Sequence, residues 1–265
     1  MPIIEGLGWT FDTVADVYEK LRPGYVDGVY DMIRDYVPLG EHSRAVEVGV
    51  GGGQATKPIL DTGCAVTAVE PGEEFSKLCA AKFGAYPKFS VITGKFEEVD
   101  FAPQSCDLVY SASAFHWVPE EIGYRKVYNM LRSGGAFARF ANHPHPDQGR
   151  PEMSAAIQEA YARYYYPFHR REIRHDKVYG EAEAEARAEI ARKYGFQDIA
   201  WALLRRTRSF TAKEYIMLLG TYSDHIVIDE PIRMKFFDAI EQTINDYGGE
   251  ITLYDTIDLA LARKP

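Results

Sequence analysis

Cysteine is scarce in this chain. Cys64, Cys79 and Cys106 form an odd set with no C-x-x-C spacing, which excludes a disulfide framework and reads as reduced, partly buried thiols of a cytoplasmic protein. No H-E-x-x-H run occurs, so no metal is expected. His143 and His145 stand among prolines, which points to a loop rather than a ligand pair. No uninterrupted apolar run approaches the ~18 residues of a spanning helix. The opening MPIIEGLGWT has no basic region leading into an apolar stretch, so neither a signal peptide nor a membrane partner is expected. Positive charge is also short, with 30 Lys and Arg against 39 Asp and Glu and a net charge of −9. That balance does not favour nucleic acid as a partner. There is no internal repeat, and the Ala/Glu alternation of 181–188 is the only stretch of low complexity. What remains is an ordinary globular composition of 265 residues, 46% hydrophobic, long enough to bury a sizeable core in one large α/β domain.

Two nucleotide signatures are missing as well. There is no G-x-x-x-x-G-K-[ST] phosphate loop, and a G-x-G-x-x-G count from Gly49 fails at Gln54. The chain instead offers Arg44 to Thr56, RAVEVGVGGGQAT. A short apolar run of Ala45, Val46 and Val48 is interrupted by Glu47 just before the glycines, and a run of helical character follows over 54–60. Strand, glycine turn and helix form a nucleotide site at the carboxyl end of a buried parallel strand, with free helix N–H groups facing the ligand. A carboxylate at Glu47 sits poorly beside a pyrophosphate and suits a ligand that carries positive charge. Glu70 closes a second strand, 64–69, seventeen residues after Gly53, near the spacing of an acid that reads a ribose through paired hydrogen bonds.

The acid-x-G-x-G-x-G pattern resembles motif I of the class I S-adenosylmethionine-dependent methyltransferases. The resemblance implies a cofactor site of Glu47, Gly49, Gly51, Gly53 and Glu70. It continues along the chain. A helix, 73–82, and a third strand, 89–93, lead to Gly94-Lys95-Phe96, similar to the family loop that flanks adenine. Lys95 stands where the family commonly has Asp, so the backbone of Lys95 and Phe96 is expected to serve, with the Phe96 ring stacking. The run 105–111 resembles motif IV and places Ser111 at the cofactor. Phe115-His116-Trp117 beyond it matches a trans-aconitate methyltransferase-like subfamily, with Trp117 toward the substrate. Upstream, Phe11, Tyr18, Arg22 and Tyr25 match an N-terminal segment that closes over the cofactor, Arg22 pairing with its carboxylate.

A helix before Pro23 and a second one carrying Val26, Val29, Tyr30, Ile33 and Val37 are read from apolar spacing. Helix 123–131 precedes an Arg132-Ser133-Gly134-Gly135 turn and strand 136–140. The alternation then breaks, with a loop over 142–151 and helices 153–165 and 180–194. Between them Tyr164 to Tyr166, Arg170, Arg171 and Arg174 combine aromatic and basic groups suited to a planar or anionic substrate. Strand 201–210, helices 211–219 and 231–247 and strand 251–262 finish the chain. The resemblance implies a Rossmann-like α/β fold, a mostly parallel seven-stranded sheet with a C-terminal antiparallel hairpin and a helical cap. The whole, 1–265, is read as one domain, with a cover from 1–36 and 142–198 over a core of 37–141 and 199–265. The implied activity is methyl transfer from S-adenosyl-L-methionine to a small-molecule acceptor. A carboxylate acceptor is one choice, with His116 as candidate base and Trp117, Tyr165, Arg171 and Tyr222 as substrate contacts. A non-catalytic cofactor-binding protein and an NAD-dependent oxidoreductase stay open as alternatives, as do the acceptor atom and the oligomeric state.

Overall fold

The computed structural model describes Arg22, residues 24–170 and residues 178–265. The helix expected before Pro23, with Phe11 and Tyr18, lies outside the described residues, as do Arg171 and Arg174. The chain opens on α1 (Asp27–Tyr36), β1 (Arg44–Val48), the short α2 (Lys57–Leu60), β2 (Ala65–Glu70), α3 (Glu73–Lys82), β3 (Phe89–Thr93), β4 (Cys106–Ala112), α4 (Glu120–Met130) and β5 (Leu131–Pro146). It goes on through α5 (Pro151–Ala160), a π-helical turn (Tyr161–Tyr165), α6 (Tyr166–His169), α7 (Glu181–Glu189) and β6 (Gln197–Thr211). It ends with α8 (Ala212–Leu219), α9 (Ser223–Ile226), α10 (Glu230–Asp246) and β7 (Glu250–Arg263). Among the described residues the strands form one seven-stranded sheet, ordered β3-β2-β1-β4-β5-β7-β6. The strands from β3 to β5 pair in parallel, and the C-terminal hairpin is antiparallel, as the resemblance implied.

Burial explains the order. In β1 and β4 nearly every residue is buried, the signature of parallel strands covered on both faces. Edge strand β3 has no buried residue. One face packs on Val29, Tyr30 and Ile33 of α1, the stripe its apolar spacing predicts. The other face packs on Tyr124, Val127 and Met130 of α4, with Phe115 and Phe196.

Several boundaries move. The chain after Gln54 runs in turns until α2, because Pro58 fits a first helical turn and not a helix interior. In α3 Ala81 is exposed while Ser76 and Phe83 are buried, so the inward stripe is Phe75, Ser76 and Cys79 rather than the expected Phe75, Leu78, Cys79 and Ala81. The Arg132 to Gly135 turn is a bulge within β5: Cys106 pairs with Leu131, but Leu108 pairs with Ala136. Gly134 and Gly135 exchange backbone hydrogen bonds with Lys264 instead. Strand β5 also runs on to Pro146, so His143 and His145 lie on extended strand and not in a loop.

The residues fall into two compact units. The first holds Arg22 with the described residues of His143–Val178 and Arg205–Thr256. The second holds those up to Asn142, with Tyr179–Leu204 and Ile257–Pro265. The first has its own core of Met153, Ile157, Leu218, Phe236, Ile240 and Ile244. Helix α7 therefore groups with the sheet core of the second unit, where Ala191 and Phe196 just after it are buried. No helix among the described residues is long and apolar enough to cross a membrane.

Gly53 has φ +74°, and a Cβ there would come within 2.4 Å of the Phe83 ring. A left-handed conformation costs an L-residue about 1–2 kcal/mol, and overpacking adds about 1–3 kcal/mol. Gly53→Ala is expected to lower stability by about 2–5 kcal/mol in urea unfolding, and an unchanged midpoint would contradict this geometry.

Candidate functional site

The loop between β1 and α2 is glycine backbone held in shape by neighbouring groups. Gly49, Gly51 and Gly53 all take positive φ, open to glycine at no steric cost. Neighbouring elements hold the loop in place. The Gly49 N–H donates to Val69 O at 2.8 Å. Cys79 Sγ donates to Gly51 O at 3.0 Å, and Lys82 Nζ to Gly52 O at 2.9 Å.

Glu70, at the carboxyl end of β2, is 7% exposed. Its Oε2 accepts from the Gly51 N–H at 2.8 Å, and its Oε1 from the Gly72 N–H at 2.9 Å. These two bonds fix the plane of the carboxylate beside the glycine turn, where an acid that pairs with the two hydroxyls of a ribose is expected.

Glu47 lies deeper, 1% exposed. Its Oε2 accepts from Thr56 Oγ1 at 2.7 Å and from the Tyr110 hydroxyl at 2.8 Å. Burial pushes its carboxyl up to about 7, against the opposing pull of those two hydrogen bonds. Sequence reasoning found Glu47 and missed both partners. The available signal was Tyr110 itself, whose polar tip must find a mate when its strand is buried.

At the end of β4 the Ser111 hydroxyl is buried and committed to Val48 O at 2.8 Å. Ser113, two residues on, has φ +54°. Its Oγ is shared with the Tyr25 hydroxyl at 2.8 Å and the Asn142 N–H at 3.2 Å. A non-glycine residue held in this region marks a backbone its surroundings over-determine, common where a site is built. A 3₁₀ turn, Phe115–Trp117, follows. Its His116 is exposed and its Trp117 half-buried, with ring centres 4.9 Å apart. Beyond β3, Lys95 is exposed beside Glu98 at 3.4 Å. The Phe96 ring is buried in the core against Phe101 and Phe115, so the backbone and not that ring is what the loop presents. Lys126 pins this loop through Phe96 O and Val99 O.

The remaining expected contacts belong to the first unit. Arg22 donates to Thr221 Oγ1 at 3.0 Å and Thr221 O at 3.2 Å, and lies over the Tyr222 ring at 4.0 Å. Tyr165 is buried, its hydroxyl 2.6 Å from Asp224 Oδ2. Burial alone would raise the Asp224 carboxyl, but the hydrogen bond and charge of His225, with Tyr165, hold it well below the usual carboxylate range. Arg170 and Arg205 are exposed. No group of three or more His, Cys, Asp or Glu among the described residues could hold a metal.

A family model described as a methyltransferase domain matches residues 46–138, from β1 through the middle of β5. An uncharacterized methyltransferase of Geobacillus is 30% identical over 59% of this chain and 75% of its own length. In fold, a candidate type II methyltransferase from Anaeromyxobacter dehalogenans superposes with a TM-score of 0.63 at 18% identity, over 92% of this chain and 98% of that one. A phosphoethanolamine N-methyltransferase from Haemonchus contortus, solved with phosphomonomethylethanolamine and S-adenosylhomocysteine, gives 0.55 at 16% identity, over all of this chain and 61% of that one. The chain belongs to the class I S-adenosylmethionine-dependent methyltransferases, and its cofactor is S-adenosyl-L-methionine.

The buried acid gives a pH signature with a definite sign. Below about pH 4.5 Glu47 is protonated in both folded and unfolded chains. As pH rises toward 7 the unfolded chain ionises while the fold keeps its proton, so stability is lost across the window from 4.5 to about 7. One pKa unit is about 1.4 kcal/mol, so the loss is about 3 kcal/mol. Glu47→Gln keeps an oxygen for Thr56 and Tyr110 and has no such loss. In cofactor-free protein its stability should gain on wild type by about that amount between pH 4.5 and 8. Parallel stability curves over that range would contradict the assignment.

Proposed function

We propose that the protein transfers a methyl group from S-adenosyl-L-methionine to a small-molecule acceptor that carries a carboxylate. The observation that carries this reading is the Glu70 carboxylate, locked beside the glycine loop by the Gly51 and Gly72 amides at the carboxyl end of β2. In this reading Glu70 binds the ribose. The backbone of Gly49, Gly51 and Gly53 lies along the amino-acid portion, and the backbone of Lys95 and Phe96 borders the adenine. Glu47, held near neutrality by burial, is drawn to its ionised form when an ammonium or sulfonium arrives, since a nearby positive charge favours the carboxylate. Ser111 acts through the Val48 carbonyl that it holds.

When bound, the cofactor supplies an electrophilic methyl on a sulfonium sulfur. The task left to the chain is to hold the acceptor in line with it, and positioning of this kind supplies much of the rate. His116 and Trp117, on the turn after β4, are assigned to that task. An acceptor that attacks through a carboxylate arrives ionised and needs no base. A phenol or amine gives its proton to His116. The net charge of −9 supports a small acceptor over nucleic acid.

Glu70→Ala removes charge-assisted hydrogen bonds worth about 1.5–3 kcal/mol, so affinity for S-adenosylmethionine and S-adenosylhomocysteine should fall about tenfold to a hundredfold in calorimetry. Unchanged affinity for both would remove Glu70 from the site. A panel of small acids, phenols, amines and nucleic acids, followed by S-adenosylhomocysteine release, tests the acceptor. Turnover confined to nucleic acid would overturn the small-molecule reading.

A further inference from the structure

We propose that Arg139 and Arg187 form a carboxylate-binding subsite beside the turn that carries His116, and that it grips the acid group of the methyl acceptor. The inference rests on the reading above and names the residues that select its substrate. Arg139 stands on β5 opposite Ser111 of β4, at the carboxyl end of the parallel strands, where open α/β sheets bind their ligands. Its guanidinium lies 5.5 Å from the centre of the Phe115 ring, the first residue of the His116 turn. It is half-buried, and its Nη1 donates to the Tyr124 hydroxyl at 2.9 Å. Arg187 reaches in from α7 and donates to Asp258, a fully buried acid on β7, at 3.0 Å. The Tyr179 hydroxyl donates to the same carboxylate at 3.3 Å.

Charge and hydrogen bonding are both incomplete in this cluster. Two guanidiniums stand with one carboxylate among the described residues, and the hydrogen bond of Arg139 goes to a neutral hydroxyl. Burial, and then the like charge of Arg187, push the Arg139 guanidinium below its ordinary pKa. The Nε–H groups of both arginines are buried without an acceptor among the described residues. A buried cation with a neutral partner is costly to the free protein, and an arriving carboxylate cancels that cost. Arginine presents paired N–H groups that match a carboxylate two bonds at a time. A carboxylate gripped by both oxygens is a weakened nucleophile, so this group orients the acceptor and a second nucleophile receives the methyl. The substrate class is therefore a small acid with another nucleophilic group, such as a dicarboxylate, hydroxy acid or amino acid.

The test uses whole protein saturated with S-adenosylhomocysteine, titrated with succinate and with benzoate at constant ionic strength, chloride serving as control. The readout is the arginine Nε–H region of the nitrogen–proton NMR spectrum. The Arg139 and Arg187 signals, assigned by their loss in Arg139→Lys and Arg187→Lys, should shift saturably with a carboxylate and not with chloride. In Arg139→Lys the affinity for that carboxylate should fall about tenfold or more, while S-adenosylhomocysteine affinity stays within about twofold of wild type. Absence of a saturable shift up to about 50 mM of either acid, or equal carboxylate affinity in Arg139→Lys, overturns the subsite. If Arg139→Lys fails to fold, the wild-type titration decides alone. Failure of S-adenosylhomocysteine to bind wild type would instead strike the cofactor reading, so the two failures are separable.

Discussion

The glycines of the loop have no side chains with which to hold its shape, so much of that shape is imposed by its neighbours. Here the Glu70 carboxylate does so by accepting the Gly51 N–H. The same carboxylate takes the Gly72 N–H at the start of α3, so one acid fixes the ends of two successive strand-to-helix turns. Helix α3 adds Cys79 and Lys82 to the loop carbonyls. The order of the sheet follows from this arrangement. Strands β1 and β2 must be adjacent, in parallel and in register, for the second acid to reach the first loop, and Val48 does face Val69 across the pair.

The two acids flanking that loop differ in chemistry because they differ in surroundings. Glu70, at the end of its strand, accepts two backbone N–H groups. Glu47 is sealed beneath the loop with two hydroxyl donors, and burial outweighs them. Its charge is thus least costly when a positive group is close. In the proposed function these two carboxylates on consecutive strands divide the recognition of one cofactor, one reading hydroxyls and the other reading charge.

Much of this was legible in the sequence. The glycine spacing, Glu47, Glu70 and the turn after β4 are local features, and local chemistry announces them. The stripe of α1 followed from apolar spacing, and β3 spans Phe89–Thr93 as expected. What stayed hidden was mostly non-local. Tyr110 meets Glu47 only once β4 lies against β1, and Thr56 only once the glycine loop folds back over the strand end. Arg139 and Arg187 stand 48 positions apart and share a neighbourhood only through β7. The β5 bulge was read as a plain turn because four residues of turn chemistry look alike whether they end a strand or interrupt one. The aromatic and basic stretch near 164–174 drew attention by composition, whereas Tyr165 is spent on Asp224 inside its own unit.

The sheet order also has a consequence for how the chain comes to be folded. Strand β7 lies between β5 and β6, although it follows both in the chain. Strand β6 therefore leaves synthesis without its sheet neighbour and must wait, its backbone unpaired, while α8 to α10 are made. Pairings that span so much sequence are slow to close, and an unpaired strand edge invites association with another chain. The polar run near the end of β6, Arg205 to Ser209, guards that interval before it serves the finished sheet.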